Sequence, residues 1–162
     1  RGIVSKYLGY DVEYDAEPQN MQAMSLYGAS CQLNWTPPSN IAIERKKVED
    51  YLHVGFTGRI KLSVLSNFKP ETNQNWGANL LNKGLNKKID DPDITDKFNY
   101  SKVENLEFEA IWNSPISSIK WHIANQVYLI LKVEYPLPSE ERKELAIELA
   151  REVNQNLVSA ID

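Results

Sequence analysis

Two stretches of this chain alternate between apolar and polar residues for longer than a small domain can hold in a straight line. From 52 to 64 the even positions are Leu52, Val54, Phe56, Gly58, Ile60, Leu62 and Val64, and the intervening positions are mostly polar. The second run carries Ile119, Trp121 and Ile123, then Asn125, then Val127, Leu129, Leu131, Val133 and Tyr135. A period of two places one set of side chains on each face of a strand. Residues 52–66 fully extended would span about 50 Å. A single domain of 162 residues has a radius of gyration of about 15 Å and a diameter of about 40 Å. Each run must therefore bend or reverse. Gly55 and Gly58 suit a bend in the first, because glycine accepts bulge and turn geometries. Asn125 and Gln126 suit a turn in the second.

The final segment, SEERKELAIELAREVNQNLVSAI, reads as a helix. Ser139 is placed to cap it, acids fill its first turn, and Leu145, Leu149, Val153, Leu157 and Ile161 form one apolar stripe. Together these features predict an α+β fold: a strongly curved antiparallel sheet of four to six strands, with the long C-terminal helix packed on its apolar face. Further strands are expected at 27–35, where Tyr27, Ala29, Cys31, Leu33 and Trp35 share a face, and at 103–112, where Leu106, Phe108, Ala110 and Trp112 do. Cys31 thereby reads as a core residue. The segment PQNMQAMSL has the look of one or two helical turns, 39–51 suits helix or strand, and ANLLNKGLNKK suggests a weak helix interrupted by Gly84. The whole chain, 1–162, reads as one domain with a polar, Asn- and Lys-rich excursion at 67–100.

Composition narrows function more by exclusion than by pointing. A net charge of −4 and a pI near 5.3 give no strong nucleic-acid signal, since such binding draws on a basic surface. No apolar run approaches the length of a membrane span. One cysteine rules out an intramolecular disulfide and a multi-cysteine zinc site. That usage fits a reducing, cytoplasmic setting; a first residue other than Met (Arg1) keeps a periplasmic one in view. The two histidines, His53 and His122, are too few for a zinc site and read as surface residues. DDPDITD concentrates acids without the spacing of a calcium loop and reads as a solvated turn. No cofactor or metal is expected.

Two local features carry candidate chemistry. The string Ile41-Ala42-Ile43-Glu44-Arg45-Lys46 resembles the E-x-K step of PD-(D/E)xK nucleases over three residues. The resemblance implies a metal-dependent nuclease with Glu44 and an upstream acid, Asp11 or Asp15, on a divalent ion and Lys46 positioning water, Asp15 being the preferred acid. The other feature is TNQNWGANLL, an aromatic within an Asn/Gln-rich stretch, followed by lysines. Trp76, Lys83, Lys87 and Lys88 are the expected partner-binding residues, since an exposed aromatic beside cations is a common anchor. The preferred expectation is a non-catalytic domain that binds another protein, as an inhibitor, an immunity-type antitoxin or a subunit of a larger assembly. The alternatives are the nuclease and an apolar small-ligand carrier that uses the sheet as a cup.

Overall fold

The computed structural model describes residues 2–12, 15–23, 26–36, 58–66, 74–86, 99–123, 127–135 and 137–161. The second alternating run supplies the centre of the fold. It forms β6 (Ser118–Ile123) and β7 (Val127–Glu134), antiparallel, with Ile123 opposite Val127, so the chain reverses between them. Ahead of them lie β1 (Asp15–Ala23), β2 (Leu26–Trp35), β3 (Gly58–Ser66), β4 (Ser101–Lys102) and β5 (Ala110–Asn113). The sheet order is β1-β2-β3-β7-β6-β5-β4, and every neighbouring pair is antiparallel. Six strands have four residues or more; β4 is a two-residue strand at the edge. Among the described residues three helices complete the fold: α1 (Gly2–Leu8), α2 (Trp76–Asn86) and α3 (Ser139–Ile161).

Helix α3 lies on β6 and β7, with α1 against it, and α2 packs on the sheet at β5 and β6. The α3 side holds the main core. Trp121, Ile119, Leu129, Val133, Leu145, Ala146 and Ala150 are fully buried there. Alanines at 146 and 150 let the helix approach the sheet closely, while Leu149, Val153 and Leu157 pack along its flank. Glu140 and Glu141 occupy the first turn of α3, where they meet the positive end of the helix dipole. A smaller cluster of Leu81, Ile111 and Tyr128 forms beneath α2.

Several local expectations change. PQNMQAMSL lies mostly in β1, paired residue by residue with β2 from Pro18 opposite Cys31 to Ala23 opposite Leu26. Pro18 fits because β1 is an edge strand, where a missing N–H goes unused. Residues 103–112 are a reversal rather than one strand: β4 pairs with β5, Ser101 opposite Trp112, and Asn105 takes a left-handed φ of 59° in the connection. Asparagine tolerates that conformation better than most residues. Helix α2 runs through Gly84 without interruption. Cys31 is exposed. Residues 39–51, DDPDITD and the bend expected at Gly55 lie outside the described residues. Gly58 opens β3 opposite Trp35, and a Cβ there would fall 2.1 Å from the indole ring, so the position accommodates the tryptophan. That indole donates to the Tyr10 hydroxyl at 3.2 Å, and Tyr10 shares a 2.8 Å hydrogen bond with Tyr135. The chain after α1 is thereby tied to the ends of β2 and β7.

Candidate functional site

Helix α2 is held to the sheet by small residues. In WGANLLNKGLN, Gly77 and Gly84 stand two turns apart and share a face with Leu81. A Cβ at 77 would meet His122 Cβ at 2.6 Å, and one at 84 would meet Ile111 Cδ1 at 2.6 Å. Leu81 inserts between them and is 2% exposed. Trp76, half-buried at the start of the helix, packs edge-on against Tyr128 with ring centroids 6.1 Å apart. The other side of α2 opens onto a cleft of about 490 Å³ lined by Trp76, Asn79, Leu80, Asn82, Lys83 and Asn86. Two of the four residues expected to bind a partner, Trp76 and Lys83, thus share one cleft.

Beside α2 on the same face, the strand register assembles a basic row. Lys61 on β3 is directly opposite Lys132 on β7, and Lys132 is opposite Ser118 on β6. Lys120 follows two residues after Ser118, on the same face. All three lysines are half-buried. The Lys120 ammonium lies 4.2 Å from the centre of the Tyr100 ring, a cation–π distance. Burial lowers the Lys120 pKa. Burial also raises that of Tyr100, against the pull of Ser118 and of the Lys132 charge. Tyr128 is driven up by burial and then by Tyr100.

Among the described residues, no carboxylate cancels the charges of this row. Arg59 pairs with Glu134 across β3 and β7. Among the described residues, no carboxylate comes within ion-pair distance of Lys61, Lys120 or Lys132. Like charges directly opposite on adjacent strands are destabilising by roughly 0.2–1 kcal/mol. Two hydroxyls on the same face are also unmatched: Ser118 and Ser30 are 0% and 4% exposed, and neither Oγ has a hydrogen-bond partner among the described residues. Ser118 faces the Tyr100 phenol closely enough to shift its titration without meeting hydrogen-bond geometry. His122, under α2, has no hydrogen bond at either ring nitrogen among the described residues, and its Nε2 lies 3.9 Å from a Glu109 carboxylate oxygen.

The remaining sequence candidates divide between edge and unseen positions. Asp15 is the first residue of β1, the edge strand, opposite Asn34. Glu44, Lys46, Lys87, Lys88 and His53 lie outside the described residues, so only Asp15 of the E-x-K constellation is placed. Among the described residues, no three His, Cys, Asp or Glu side chains are grouped to hold a metal ion, and no helix is long and apolar enough to cross a membrane. A second cleft, of about 410 Å³, lies between Phe108 and the last turns of α3, lined by Arg151, Asn154 and Val158 among others.

The lysine row escaped sequence reasoning because the alternating runs were read for their apolar positions. The polar positions held the signal: Lys61, Lys120 and Lys132 each sit mid-strand on the opposite face from the core. Comparisons of the chain with protein-family models, with curated proteins and with solved structures return no match.

Proposed function

We propose that this chain is a non-catalytic protein-binding domain, of the inhibitor or immunity type or a subunit of an assembly, and that the outward side of α2 is its contact surface. The observation supporting this reading is the way α2 is mounted. One side is clamped by Gly77, Leu81 and Gly84 against the sheet. The other presents an aromatic edge, three asparagines and a lysine to an open cleft. A rigid base with adaptable amides above it suits recognition of peptide groups, since each side-chain amide both donates and accepts. Lys83, followed in sequence by Lys87 and Lys88, gives this edge a charge opposite to that of the whole chain and favours an acidic protein partner.

The test uses exposed positions, so that folding is not at stake. Affinity capture from the native cells is compared between the wild type and an Asn79→Arg/Lys83→Glu double variant, with thermal melts matched within about 2 °C. A partner retained by the wild type and lost from the variant, and recovered when its own acidic residues are charge-reversed, supports the reading. Identical captured sets for both proteins would overturn it.

A further inference from the structure

We propose that Lys61, Lys120 and Lys132, with the Tyr100 hydroxyl, form a binding site for a dianionic phosphoryl group. This site uses side chains other than those lining the α2 cleft, and it stands or falls separately from the function proposed above.

The first argument is charge. Two lysines face each other on adjacent strands and a third lies on the diagonal, all half-buried and none paired with a carboxylate among the described residues. On a chain of net charge −4, acids are plentiful, yet among the described residues none pairs with the cationic row, and Glu134 pairs with Arg59 instead. Directly opposed Cβ atoms are about 5 Å apart and diagonal ones about 7 Å. Lysine side chains are long enough for three ammonium groups to converge over that spacing on one small anion.

The second argument is what lies around the cations. Tyr100 stands within the group: its ring holds the Lys120 ammonium at 4.2 Å, and its hydroxyl feels the Lys132 charge. Beside it, the Ser118 hydroxyl is wholly buried and close enough to act on the Tyr100 phenol, yet among the described residues it meets no partner in hydrogen-bond geometry. The Ser30 hydroxyl, buried to 4% exposure, is likewise unmatched on the same face. Unpaired buried hydroxyls cost free energy, and so does a cation such as Lys120, whose charged form burial disfavours. An oxyanion over the row would favour the charged form of Lys120, against the burial that disfavours it.

The third argument selects the anion. A carboxylate brings one negative charge and two oxygens in a plane, a shape better matched by the arginine fork. Three separate ammonium groups are point charges with rotatable donors. They suit a tetrahedral group with three free oxygens and close to two negative charges, which is a phosphate or phosphomonoester near neutral pH.

The experiment titrates the purified chain with inorganic phosphate, O-phosphoserine and acetate. It is followed by amide and lysine-ammonium NMR shifts at one fixed ionic strength, so that screening is constant. The expected result is saturable binding of phosphate or phosphoserine at one site, with shifts centred on residues 61, 100, 120 and 132. Acetate should bind at least tenfold more weakly. Lys132→Gln and Lys61→Gln should each weaken phosphate binding by tenfold or more, and Lys83→Gln, on the α2 cleft, should leave it unchanged. Removing a like-charge neighbour relieves repulsion, so both variants should fold; Tyr100→Phe provides a further arm that keeps all three cations, with a loss of threefold or more. Phosphoserine tighter than phosphate by tenfold identifies an esterified ligand; equal affinity identifies the free anion. Non-saturating shifts, equal binding of acetate, or phosphate affinity unchanged in Lys132→Gln would overturn the proposal.

Discussion

One row of side chains crosses the α3 side of the sheet and changes character along its length. Cys31 on β2, Leu62 on β3, Leu131 on β7, Ile119 on β6 and Trp112 on β5 are consecutive partners in the register. Cys31 is exposed and Leu62 is partly buried, whereas Leu131, Ile119 and Trp112 are 2%, 0% and 3% exposed. The neighbouring row repeats the gradient from exposed Ala29 through Val64 to Leu129 and Trp121. All of these residues obey the same alternation and share a face. The difference lies in what covers them: α3 packs on β6 and β7, and β2 lies two strands beyond. Alternation decides the direction of a side chain; burial is decided by an element elsewhere in the chain.

The largest effect that would break this comparison is a pair of truncations on that face. Trp121→Ala removes a wholly buried indole that packs against Phe108 and should cost about 3–5 kcal/mol. Cys31→Ala should change stability by less than about 0.5 kcal/mol, as expected for an exposed position. Urea unfolding of both variants, with unchanged slope, provides the measurement. A loss above about 2 kcal/mol for Cys31→Ala would mean that β2 is covered as fully as β6.

Two glycines extend the comparison to backbone contacts. Gly58→Ala drives a Cβ into the Trp35 ring, which is itself held by Tyr10 and Tyr135 and cannot easily retreat. A loss of about 1–3 kcal/mol is expected from such overpacking. At Gly84 the obstructing atom is only the terminal methyl of Ile111, and alanine gains about 1 kcal/mol of helix propensity over glycine. Gly84→Ala should therefore stay within about 1 kcal/mol of the wild type by thermal unfolding. A Gly84→Ala loss as large as that at Gly58 would show that α2 is seated more tightly than Ile111 alone implies.

These contrasts also show what the amino-acid sequence made legible. The long helix, the paired strands of the second alternating run and the α+β class follow from periodicity and caps, which are local properties. Helix α1 was missed although Val4 and Leu8, both buried, stand four apart; the seven residues GIVSKYL gave too short a window for the pattern to register. The β1–β2 hairpin was missed because DAEPQNMQA lacks apolar alternation, and its pairing comes from a partner strand rather than its own composition. Cys31 was misplaced because coverage is a tertiary fact. At the candidate site, Trp76 and Lys83 were legible as an aromatic and a cation in an amide-rich stretch. The adjacency of Lys61 and Lys132 was not, since it depends on β3 pairing with a strand over sixty residues away.

The α2 side offers a smaller and opposite-signed effect. Lys132→Gln removes one of two facing charges, so the ligand-free protein should gain a few tenths to about 1 kcal/mol. The gain should shrink as salt is added, because screening already weakens the repulsion in the wild type. Melting curves at low and high ionic strength measure it. A destabilised variant would show that Lys132 packs or hydrogen-bonds in a way that outweighs the repulsion.

The smallest expected effect concerns the clasp that holds α1 to the covering helix. Lys6 Nζ lies 3.1 Å from a Glu148 oxygen on α3 and 5.4 Å from the Tyr7 ring. Hydrogen bonding to Tyr7, then to Lys6, holds Glu148 below the ordinary carboxylate range. A depressed folded-state pKa means the stabilisation is present above the unfolded Glu pKa and is lost as pH falls through the folded one. Tyr7 runs the other way. Burial first, and then Glu148, push it up to about 12, so its contribution is whole below its ordinary value of 10.0 and disappears as pH rises toward 12. Glu148 and Lys6 are largely solvated, which limits the pair to under about 1 kcal/mol. Glu148→Gln should therefore lower the melting temperature slightly at pH 7, and the gap to the wild type should narrow as pH falls below the ordinary Glu value of 4.5 and the folded-state carboxylate takes up its proton. A gap that stays constant across the whole acid range would show that the clasp works through packing of the α1 side chains and owes little to the ionised carboxylate.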